Sequence, residues 1–117
     1  MTGTSPTPGP GFAAGQVMTV FRSRRRAVGQ VEYLELVAAM EDAARRMPGF
    51  VDFKAFTAED GERVSLVTFA SAEDYQAWRD DPRHRAAQQR GRDRFYLEYS
   101  VQVGECTHAT RWVRPAW

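Results

Sequence analysis

Phe95, Leu97, Tyr99, Val101 and Val103 alternate with Tyr96, Glu98, Ser100 and Gln102, a period of two that marks a β-strand with one covered face. A strand of this kind needs a sheet to pair with and an apolar layer to lie under, so the rest of the chain has to supply both. The spacing therefore predicts that the apolar set packs against helices and that Tyr96, Glu98 and Gln102 point the other way.

Upstream segments provide the partners. Val17 to Arg24 mixes β-branched and aromatic residues over one strand length, with apolar groups on both faces. From Val28 to Met47 the spacing becomes helical, with Tyr33, Leu36 or Val37, Met40, Ala43 or Ala44, and Met47 on one stripe. Pro48-Gly49 ends that helix. Phe50 to Ala58 and Glu62 to Phe69 read as two strands joined through Glu59-Asp60-Gly61, a hairpin signal. Ser71-Ala72-Glu73-Asp74 resembles a capping box and starts a short helix carrying Tyr75 and Trp78 three apart. Asp81-Pro82 starts another, with Asp as N-cap and Pro at the first helical position, running to about Arg92.

The order β-α-β-β-α-β is that of an α+β, ferredoxin-like fold, a four-stranded antiparallel sheet with helices on one face. The open sheet face still carries apolar side chains from several strands, and a second copy of the chain is the simplest cover. A homodimer whose two sheets enclose a cavity follows, with Tyr96, Glu98 and Gln102 as candidate ligand contacts inside it.

Charge narrows the partners. Sixteen basic and fifteen acidic side chains nearly cancel, so no net field favours nucleic acid or an anionic membrane, and no apolar run is long enough to span a bilayer. The single cysteine, Cys106, cannot form an internal disulfide, which fits a reducing cytoplasm. Residues 1–16 are rich in Gly, Pro, Thr and Ser and read as a disordered leader, residues 17–105 as the folded domain, and residues 106–117 as a tail with two tryptophans. Cys106 and His108 lie two apart without further ligands nearby, so no metal site is expected there.

The chain resembles the antibiotic biosynthesis monooxygenase superfamily, the dimeric α/β barrels. The resemblance rests on Met47-Pro48-Gly49-Phe50, on Trp78 closing a short helix, on Asp81-Pro82-Arg83-His84-Arg85-Ala86-Ala87-Gln88 with Gly91-Arg92 after it, and on Phe95-Tyr96 opening the last strand. It implies an oxygenase that needs no organic cofactor, with molecular oxygen as co-substrate and a small aromatic molecule as partner. The heme-degrading branch uses an Asn with a Trp and a His, and this sequence contains no asparagine, so that constellation is disfavoured.

His84 is the one side chain of the central motif that titrates near neutral pH, which suits a base for a phenol, and Trp78 can hold a planar ring by stacking. In the bland reading His84 hydrogen-bonds Gln88 one turn on, and Trp78 is a core aromatic. Asp74, Tyr75 and Arg92 complete the candidate contacts. The leading expectation is a cofactor-independent monooxygenase of secondary metabolism, oxidising a phenol, anthrone or hydroquinone. The alternatives are a barrel that binds a small molecule without acting on it, and one that binds heme through His84 or His108.

Overall fold

The computed structural model describes residues 11–116. Strand β1 (Val17–Arg25) leads to helix α1 (Gln30–Arg45), then to β2 (Phe50–Thr57) and β3 (Arg63–Phe69). Two short helices, α2 (Ala72–Asp80) and α3 (Pro82–Arg90), precede a single π-helical turn (Gly91–Phe95) and β4 (Tyr96–Glu105). All pairings are antiparallel and the sheet order is β2-β3-β1-β4, the ferredoxin-like topology expected from the sequence.

The helix boundaries follow from local chemistry. At the start of α2 the Ser71 hydroxyl accepts the Asp74 N–H at 3.1 Å and donates to Asp74 Oδ2 at 3.0 Å, closing a reciprocal cap. At the start of α3, Asp81 Oδ1 accepts the Arg83 N–H at 2.9 Å with Pro82 in the first turn. Hydrogen bonds from the Arg83 guanidinium are the largest cause holding the Asp81 carboxyl down to about 2, so the cap stays ionised at the positive end of its helix.

Side-chain alternation gives the sheet two faces. The inner face, under the helices, is built of cross-strand rows: Phe53, Val67, Thr19 and Val103; then Ala55, Ser65, Phe21 and Val101; then Thr57, Arg63, Ser23 and Tyr99. At one end of this face Ala43 and Ala44 of α1 and Trp78 of α2 bury themselves against Val67 and Phe69, joined by Met40, Met47, Phe50 and Tyr75. At the other end Tyr33 meets Phe95 edge-on at 5.7 Å. The outer face carries Met18, Val20, Phe56, Val64 and Leu66 with no helix over them.

The last strand departs from the simple alternation. Because the chain enters β4 through the π-helical turn, Phe95 is a fully buried helix-side residue and not a strand residue. A register shift follows in which Arg24 pairs with Glu98 but Arg25 pairs with Tyr96, leaving Leu97 as the extra residue, 71% exposed. Tyr96 is thereby turned to the inner face beside Tyr99, whereas Glu98 and Gln102 stay on the outer one. The expectation that Tyr96, Glu98 and Gln102 share a face is corrected by this bulge.

The part of the expected leader that is described has fixed hydrogen bonds: Gly15 N–H donates to the Cys106 carbonyl at 2.8 Å and Cys106 N–H to that of Gln16 at 2.7 Å, extending the β1–β4 ladder. Residues 1–10 lie outside the described residues. No helix of the described chain is long and apolar enough to cross a membrane.

Gly49 shows how tightly the α1–β2 turn is built. Its φ of +75° favours glycine, and an added Cβ would overlap the Asp74 carboxylate. Gly49→Ala is expected to lower unfolding free energy by about 2 kcal/mol or more, since a left-handed alanine alone costs roughly 1–2 kcal/mol. Urea denaturation with unchanged m-value would check it.

Candidate functional site

The helices cannot close over the middle of the inner face, because they are fixed at one end by Trp78 and Ala44 and at the other by the Tyr33–Phe95 contact. A cavity of about 370 Å³ lies between, within the usual range of small-molecule sites. Its floor is the sheet, with Thr19, Ser65, Val67 and Val101. Val37 and Met40 of α1, Tyr75 and Trp78 of α2, and His84 and Gln88 of α3 form its walls, with Tyr33, Tyr96, Tyr99 and Arg63 towards the far end. The cavity is thus built within one chain, on the helix side of the sheet. It opens there because side chains of the central strands too small to fill the span, Ser65 and Thr19, lie under the helices, whereas the sequence predicts a cavity on the open face between two sheets.

Four of the residues singled out from the sequence meet here: Trp78, His84, Tyr75 and Tyr96. The imidazole of His84 stacks on the indole of Trp78, with ring centroids 4.4 Å apart and planes within 20°. Trp78 serves both readings at once, since it is 5% exposed and packs on Phe69 at 6.2 Å while its edge lines the cavity. His84 lies beside the backbone carbonyls of Trp78 and Arg79 at the end of α2, yet its Nδ1 is buried with no hydrogen-bond partner among the described residues. No bond to Gln88 forms.

Burial is the largest influence on His84 and pushes its pKa below the ordinary 6.5, against the opposing pull of the Arg79 and Trp78 carbonyls and of Asp81. The imidazole is therefore neutral at pH 7, the form that can accept a proton. Tyr96 moves in the opposite sense: burial first, with the field of the neighbouring Tyr33, raises its phenol well above the usual value. It remains a protonated donor.

The other candidates are placed elsewhere. Asp74 is spent on the Ser71 cap and packs against Gly49. Glu98 and Gln102 lie on the outer face. Arg92 reaches only the rim, where it donates to the Tyr99 hydroxyl at 2.8 Å. Among the described residues, none from the tail lines the cavity and no group of three metal-ligating side chains occurs. Sequence reasoning passed over Tyr33, Tyr99 and Arg63. The signal for Arg63 was its parity, since it lies four residues before Val67 on the same strand. Gly91 is a further support, because a Cβ there would overlap the Tyr96 ring that closes the cavity.

Residues 17–90 match the sequence profile of the antibiotic biosynthesis monooxygenase family, and the chain belongs to that family. The uncharacterized protein YqjZ of Bacillus subtilis (strain 168) is 28% identical over 101 residues, covering 86% of this chain and 84% of that one. Among solved structures, SnoaB, a cofactor-independent oxygenase from Streptomyces nogalater, superimposes with a TM-score of 0.66 at 16% identity, over 88% of this chain and 100% of its own. A conserved protein from Methanosarcina mazei Go1 gives 0.70 at 7% identity, over 79% and 93%. Likeness at such identities establishes the shared fold.

The His84 environment sets a pH dependence. A depressed histidine binds its proton less readily in the folded chain than in the unfolded one, so protonation favours unfolding. His84 therefore costs no stability above the ordinary value of 6.5 and lowers it as pH falls through and below that value. Urea denaturation at about pH 7.5 and about pH 5.5 should show a smaller acid-side loss in His84→Gln than in the wild type.

Proposed function

We propose that this chain is a cofactor-independent oxygenase of an electron-rich aromatic, a phenol, anthrone or hydroquinone, acting in secondary metabolism. The observation that carries the reading is the stacked Trp78–His84 pair in the cavity wall, a neutral imidazole held against an aromatic plane. Membership of the monooxygenase family and the structural likeness to SnoaB support it.

The chemistry follows from the substrate as much as from the protein. His84 takes the phenolic or enolic proton, and the resulting anion is electron-rich enough to pass an electron to oxygen. The radical pair combines at carbon, and loss of water leaves a quinone that keeps one oxygen atom while the other departs in the water. The protein supplies an apolar enclosure, the base and positioned donors. Trp78 fixes the ring plane, and the protonated phenol of Tyr96 is available to an oxygen atom of the substrate. Purified protein should consume oxygen with anthrones or hydroquinones without added cofactor, and His84→Ala should slow this by about a hundredfold or more, the usual worth of a positioned base. Uptake unaffected by the substitution removes His84 from the reaction. Tight binding without uptake favours the non-catalytic reading, and a Soret band on adding hemin favours the heme reading.

We also propose that the chain acts as a homodimer through the outer sheet face, where Met18 and Phe56 remain 43% and 45% exposed beside Val20, Val64 and Leu66. Sedimentation equilibrium should give twice the chain mass, and Leu66→Lys should shift it towards the monomer without emptying the cavity of ligand.

A further inference from the structure

A second pocket adjoins the cavity, sharing Tyr33 and Arg63 with it, and is otherwise lined by Ser23, Arg25, Arg26 and Gln30 among others. Its charge is unusual for this protein. Most arginines of the folded domain are matched by a carboxylate, as Arg24 is by Asp60 at 2.7 Å and Arg94 by Glu32 at 2.8 Å. Arg25, Arg26 and Arg63 have no carboxylate within ion-pair distance among the described residues. Arg25 donates to Gln30 Oε1 at 2.8 Å and lies 4.0 Å over the Tyr33 ring, and Arg26 donates to the Arg94 carbonyl at 3.1 Å. These contacts position the guanidinium groups without neutralising them.

Ser23 is the second, independent sign. It stands directly opposite Arg63 in the β1–β3 ladder, is 3% exposed, and its Oγ has no hydrogen-bond partner. A buried hydroxyl left unsatisfied beside uncompensated cations is costly, and an anion accepting from Ser23 and the guanidinium groups would relieve both.

We infer that this pocket is an anion site and that it receives an acidic substituent, a carboxylate, of the aromatic molecule held in the main cavity. The inference rests on the small-molecule reading above and narrows its substrate class. Arg63 lies four residues from Val67, which belongs to the cluster around Trp78, so about 13 Å of strand separates the two ends. The reacting ring lies against Trp78 and His84, and the acid lies across the cavity at Arg63. Arg63 acts as a specificity residue, choosing acidic over neutral substrates through the planar fork that suits a carboxylate.

The test compares hydroxynaphthoate with naphthol by calorimetry on the full chain, which reads binding and not turnover. The acid should bind about tenfold or more tightly than the neutral ring. That ratio should fall to near one in Arg63→Met, with Arg63→Lys intermediate, and should fall in Ser23→Ala. In a second arm, inorganic phosphate should raise the melting temperature of the wild type above that in chloride of equal ionic strength, and not that of Arg63→Met. Equal affinity for the two probes, or a preference unchanged in Arg63→Met and Arg26→Met, overturns the inference. A phosphate effect with neither probe bound upholds the anion site and overturns the small-molecule reading to which it is joined, so the two failures are told apart.

Discussion

The contact on which the structure depends is the packing of Trp78 against Phe69, with Ala44 pressed beside them at zero exposure. The two alanines allow α1 to approach the sheet closely, and the indole fills the angle between α2 and the end of β3. Apolar burial on this scale, several large side chains each worth roughly 1.5–3 kcal/mol, anchors both helices at one end of the sheet. With the Tyr33–Phe95 contact anchoring the other end, the span between them is covered only by side chains, and that is where the cavity opens.

Stability and chemistry are joined at the same residues. Trp78 belongs to the core, and its other surface supports His84; the stacking that buries the imidazole is also what lowers its affinity for a proton. The buried, unpartnered Nδ1 of His84 and Oγ of Ser23 are both destabilising in isolation. Both border a pocket, one at each end of the inner face. Departures from full hydrogen-bond satisfaction gather where a ligand can complete them, which is the pattern of functional sites in otherwise consistent sequences.

How much was legible in the sequence depended on how local each signal was. Ser71 and Asp81 declare their caps within three residues, and Asp60-Gly61 declares its hairpin, so element order and topology could be read directly. The π-helical turn at Gly91–Phe95 has no such signature, and the bulge it feeds into β4 reassigns Tyr96 from one face to the other. A shift of one residue reverses facing in a strand, so Tyr96 was read on the wrong face, whereas Glu98 and Gln102 keep the face read for them and miss the cavity because it lies on the other side of the sheet. Asp74 misled for a related reason: the same carboxylate that could greet a ligand is the one a capping serine takes. The solitary charges of Arg25, Arg26 and Arg63 were hidden because pairing is a property of distance, and their would-be partners are absent only in space.

The sheet separates two tasks by alternation alone. Thr19, Phe21 and Ser23 look into the pockets, while Met18 and Val20, their immediate neighbours in sequence, look out from the face proposed for a partner. A ligand site made within one chain does not need the partner for its walls. A partner on the outer face nevertheless bears on it, because strands fixed from below hold Ser65 and Arg63 in register with Phe21 and Ser23. The register of β1 with β3 is therefore the quantity that both surfaces share. Slipping it by one residue would send Arg63 outward and an apolar valine into its place, ending the charge of the pocket and the apolar character of the outer face together.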